Sequence, residues 1–140
     1  MPGNVRIPWK TIDTLKVIDE PEEYKAAALK IIGNQIPTLM LNQILLGVYI
    51  YPERINGGPI IRPNVEEDIW QGKMGHVIAK GPAVFEDDSV TYFWKQKIFE
   101  GEWLLASINN CKQMYINNLP CRIVEDRYIV ARFEDPRAVW

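Results

Sequence analysis

LLGVYIYPERINGGPIIRPNVEEDIWQGKMGHVIAKG, residues 45–81, is the stretch whose reading decides the fold. It divides into a strand, a long connection and a second strand. Leu46, Val48 and Ile50 alternate with Gly47, Tyr49 and Tyr51 as the two faces of the first strand. Pro52 ends it, because a proline nitrogen has no hydrogen to give to a ladder. His76, Val77, Ile78, Ala79 and Lys80 form the returning strand, bracketed by Gly75 and Gly81. The connection, residues 53–71, has no period, and a stretch that long inside a compact domain is usually functional or mobile. Within it Pro59-Ile60-Ile61 follows directly on Gly57-Gly58. Two readings of that apolar triplet stand open on pattern alone. The connection folds back and buries it as a satellite of the core, or the two glycines hinge an arm whose apolar anchor enters a groove on another protein.

Towards the N-terminus, residues 1–10 are punctuated by prolines and read as extended, with Trp9 available to the body or to a neighbour. Residues 11–17 suggest a short helical turn. The clearest helix is Pro21–Ile32: proline suits its first turn, Glu22 and Glu23 complement the positive end of its dipole, and Gly33 follows as a stop. Tyr24, Ala27, Ala28, Ile31 and Ile32 share one face. Residues 1–42 are therefore expected to form an N-terminal arm with one amphipathic helix, and residues 43–140 a β-domain.

Beyond Gly81 come an acidic turn at Glu86-Asp87-Asp88-Ser89 and an aromatic run, residues 90–99, that suggests a strand or a structured excursion. Gly101-Glu102 reads as a tight turn into a short buried strand, Trp103–Ala106. Residues 111–116 make another strand, Asn117-Asn118 its hairpin turn and residues 120–124 the return. Glu125-Asp126-Arg127 turns the chain once more into residues 128–133. Short strands about ten residues apart with turn residues between them predict a mainly β, antiparallel barrel or sandwich.

Composition narrows the function. The 140 residues hold 16 Lys and Arg against 18 Asp and Glu, a net charge of −2, with no dense basic run. Nucleic-acid affinity needs clustered cations, so a dedicated nucleic-acid binder is excluded. No apolar run reaches membrane-spanning length and no signal-peptide core opens the chain, so a cytoplasmic location is expected. Cys111 and Cys121 are expected to be reduced. Chemistry is scarce. The lone histidine, His76, sits in a strand pattern as a structural imidazole, and Cys111, Cys121 and His76 follow no zinc spacing. Glu66-Glu67-Asp68 and Glu86-Asp87-Asp88 read as solvated corners. No nucleophile elbow, phosphate loop, metalloprotease or calcium motif is present. The expectation is a non-enzyme without cofactor or metal.

The order of landmarks resembles the GroES-like co-chaperonins. Tyr49 to Tyr51, then Gly57-Gly58-Pro59-Ile60-Ile61, then residues 75–81 (GHVIAKG), then residues 100–105 (EGEWLL), then residues 122–131 (RIVEDRYIVA) fall in the family's order over about residues 43–134. The N-terminal forty residues and the stretch 82–99 depart from the bacterial pattern. Both extras look more like the divergent members encoded by tailed phages. The resemblance implies a small antiparallel GroES-like β-barrel with an N-terminal helical arm. It implies a homo-oligomeric ring, typically a heptamer, in which the terminal strands of neighbours pair. It also implies a mobile loop whose Gly57, Gly58, Pro59, Ile60, Ile61 and Arg62 dock on chaperonin apical domains in the bacterial host cytoplasm, capping a chamber that folds phage capsid protein. Pro59 departs from the three bulky residues of the family's tripeptide. The alternative reading, from a different class, uses the same barrel as a decoration or cement protein that binds the major capsid protein in the virion. A fragment of a GroES-like oxidoreductase is excluded, since the zinc-binding positions and the dinucleotide domain of that family are missing.

Overall fold

The computed structural model describes residues 9–51, 74–84 and 97–138. Two helices, α1 (Trp9–Leu15) and α2 (Pro21–Ile32), precede six strands: β1 (Gln43–Val48), β2 (Met74–Lys80), β3 (Trp103–Ala106), β4 (Lys112–Ile116), β5 (Leu119–Glu125) and β6 (Ile129–Phe133). All pairings are antiparallel and the order across the sheet is β4-β5-β1-β2-β3-β6. The protein is thus mainly β, with two helices beside a six-stranded antiparallel sheet.

The resemblance leads to an expected closed barrel; the described strands form an open sheet instead. Closure would require the outermost strands, β4 and β6, to exchange hydrogen bonds. After β5 a turn of 3-10 helix, Asp126–Tyr128, redirects the chain to the far margin, where β6 pairs with β3 rather than with β4. Asp126 N–H donates to the Asn42 carbonyl (3.1 Å) and Ser107 N–H to the Tyr128 carbonyl (3.0 Å), which fixes that crossing.

The sheet is covered on both faces. One continuous row of register partners crosses all six strands on the first face: Met114, Cys121, Gly47, His76, Trp103 and Phe133. Ile12 and Leu15 of α1, with Tyr24, Ala28 and Ile32 of α2, bury themselves against this face beside Leu45, Tyr49, Ile50 and Ile78. On the opposite face Ile44, Leu46, Val77, Leu104, Ala106 and Val124 pack with Val84 and Ile98. Burying one such aliphatic side chain contributes about 1.5–3 kcal/mol, so each face carries a substantial share of the stability. This double coverage also explains why β1 shows no polar face: Ile44 through Val48 are all buried, and so are Tyr49, Ile50 and Tyr51.

Local chemistry accounts for the boundaries. Pro21 opens α2, Glu22 and Glu23 sit in its first turn, and Gly33 closes it at φ 58°, donating its N–H to the Leu29 carbonyl (3.0 Å). Asn117 and Asn118 both take positive φ, 51° and 70°, which is the backbone a tight β4–β5 turn demands and asparagine tolerates. Asn117 Nδ2 also donates to the Ile31 carbonyl (2.6 Å), tying the hairpin to the end of α2. Trp9, by contrast, is half exposed.

Candidate functional site

The residues singled out by the sequence, Gly57, Gly58, Pro59, Ile60, Ile61 and Arg62, lie outside the described residues, as do Glu66-Glu67-Asp68 and Glu86-Asp87-Asp88. What is described is the mounting of that segment: the ends of β1 and β2, between which residues 52–73 run. The two strands are neighbours at the centre of the sheet, paired from Ile44 opposite Lys80 to Val48 opposite Gly75, with a bulge at Leu45/Leu46. One further bond, Tyr49 N–H to the Met74 carbonyl (3.0 Å), closes the ladder where the segment departs.

The other side of β1 ends differently. Its pairing with β5 stops at Gly47 opposite Cys121, and continuing the register would set Val48 against Pro120, which has no N–H. Tyr24 of α2 takes over. Its hydroxyl donates to the Val48 carbonyl (2.7 Å) and accepts from the Ile50 N–H (2.9 Å), all of it buried. One side chain from the helix thus does for β1 what the next strand residue does elsewhere. Each bond is worth about 0.5–1.5 kcal/mol net, and stranding the buried Ile50 N–H would cost about 1–3 kcal/mol.

Around this hydroxyl stands an aromatic cluster. Tyr24 meets Tyr49 edge-on at 5.0 Å between ring centroids; Tyr49 in turn meets Tyr51 at 5.0 Å and Trp103 at 5.1 Å. His76 lies 5.3 Å from Trp103 and 6.3 Å from Tyr24. Such edge-to-face pairs add about 0.5–1.5 kcal/mol each beyond burial. Gly47 makes the arrangement possible: a Cβ there would stand 2.5 Å from His76 Nε2 and 3.0 Å from Ile78 Cδ1. Among the described residues, Tyr49 Oη, His76 Nε2 and Trp103 Nε1 are buried and meet no hydrogen-bond partner.

Electrostatics fit a structural role for these groups. Burial, with the Lys25 ammonium adding to it, pushes the His76 imidazole down to about 3, so it is neutral at physiological pH. Burial likewise raises the Tyr49 phenol far above its ordinary value. Lys25 itself is held by the Gly101 carbonyl (2.8 Å) and Glu22 (2.9 Å), with its ammonium 5.9 Å from the centre of the Trp103 ring. On the Tyr49 side, Arg137 clasps Asp135 through Nε and Nη2 (3.0 and 2.8 Å) and donates to the Asp19 carbonyl (3.2 Å), pinning the C-terminal turn to the α1–α2 linker. Hydrogen bonding to Arg137 holds the Asp135 carboxyl below its usual range.

Neither cysteine is poised for chemistry. Burial raises the Cys121 thiol to about 12 and moves the Cys111 thiol upward as well, so both are protonated and unreactive at neutral pH. Both are free thiols. Among the described residues no three His, Cys, Asp or Glu side chains gather as metal ligands, and no helix is long and apolar enough to cross a membrane.

Pattern reading placed Tyr24 only among the apolar residues of a helix face and missed its hydroxyl as the partner of β1. The available signal was a tyrosine among alanines and isoleucines on a buried face, together with Pro120 opposite the end of β1. Trp103 and Arg137 carried no signal of this role. Scanned against models of known protein families and compared with curated proteins, the chain has no match.

Proposed function

We infer that this chain is a co-chaperonin-like ring protein that docks on a chaperonin through residues 57–62 and caps its folding chamber, with phage capsid protein as the client. The observation that carries this reading is where the Gly57-Gly58 hinge and the Ile60-Ile61 pair are inserted. They run between two central, adjacent, antiparallel strands whose exit is braced on both sides, by the Tyr49–Met74 bond and by Tyr24. An apolar anchor presented to another protein needs a stiff base, because every degree of freedom lost on docking subtracts from affinity.

The sheet margins supply the second requirement. Among the described residues β4 and β6 are each hydrogen-bonded on one side only, at opposite ends of the strand order. Edges of this kind are satisfied when copies pair head to tail, and such an interface generates a ring if the rotation closes. That pairing would give the GroES-like assembly, typically of seven, that the sequence resembles. Weak contacts from several segments then add by avidity, with no nucleotide site needed in this chain.

Native mass spectrometry of the purified chain, with and without a bacterial chaperonin and ATP, tests the reading. A discrete ring that joins the chaperonin only with nucleotide is expected. Replacing Ile60→Asp with Ile61→Asp should leave the ring intact and abolish that joining; unchanged joining would refute the anchor.

A second reading, a capsid decoration protein, is favoured by the apolar side chains exposed on and after the helices: Trp9, Leu29, Ile36, Met40 and Leu41. Stoichiometric recovery of the chain in purified virions would put it first.

A further inference from the structure

We draw no further inference here: the strongest candidate, the apolar surface that Ile36, Met40 and Leu41 expose in the connection between α2 and β1, carries none because nothing in the structure shows what covers it.

Discussion

Gly47 and His76 face each other across β1 and β2, and the sheet depends on one of them having no side chain. A Cβ at position 47 would meet the imidazole nitrogen at 2.5 Å, closer than real Cβ contacts come. Gly47→Ala is therefore expected to cost about 1–3 kcal/mol by overpacking, read as a lower denaturation midpoint in urea with an unchanged slope. His76 carries a pH signature. Its folded value lies at about 3, against an ordinary 6.5 in the unfolded chain. Between those values the unfolded state binds a proton that the native state refuses, so stability rises with pH. The contribution is complete above about 6.5 and is lost as pH falls towards about 3, at about 1.4 kcal/mol for each pH unit in the steep part. Urea unfolding from about pH 7 to about pH 5, above most carboxylate titration, should show this slope. The variant His76→Gln should flatten it, and an equal slope in that variant would assign the effect elsewhere.

At the scale of elements, the turn between β4 and β5 and the brace from α2 show how local chemistry meets tertiary demand. Asn117 and Asn118 adopt left-handed backbone that β-branched residues resist. Asn118→Val should cost about 1–2 kcal/mol, whereas Asn118→Gly should be neutral or slightly stabilising; thermal unfolding of the pair against wild type checks both. The hairpin and α2 were legible in advance because their signals are local: a capped amphipathic dodecamer and an Asn-Asn pair between β-prone runs. The barrel expectation was not met by the described strands because closure is a non-local property. The path of the chain through Asp126–Tyr128 to the far margin decides which strands stand at the edges, and no local pattern encodes that path.

For the whole molecule, the helices and the sheet share one buried layer, since Ile12, Leu15, Tyr24, Ala28 and Ile32 pack in the same cluster as Leu45, Tyr49 and Trp103. Removing residues 1–33 strips five fully buried side chains from that layer, at about 1.5–3 kcal/mol for each large one, which approaches or exceeds the net stability of a domain this size. The truncated chain is expected to lack a cooperative unfolding transition by circular dichroism; a folded truncation would show the sheet self-sufficient. By itself the sequence determined α2 and its boundaries, the strand pair flanking residues 52–73 and the β4–β5 hairpin, because helix caps, period and turn chemistry act between residues a few positions apart. It also marked Gly57 to Arg62 as the stretch to test. Only tertiary structure decided the strand order, the open margins, the fit of His76 against Gly47 and the choice of the Tyr24 hydroxyl as the partner of Val48 and Ile50. Those depend on which groups meet across more than twenty residues of chain, and the missing donor at Pro120 becomes visible only once β5 lies beside β1.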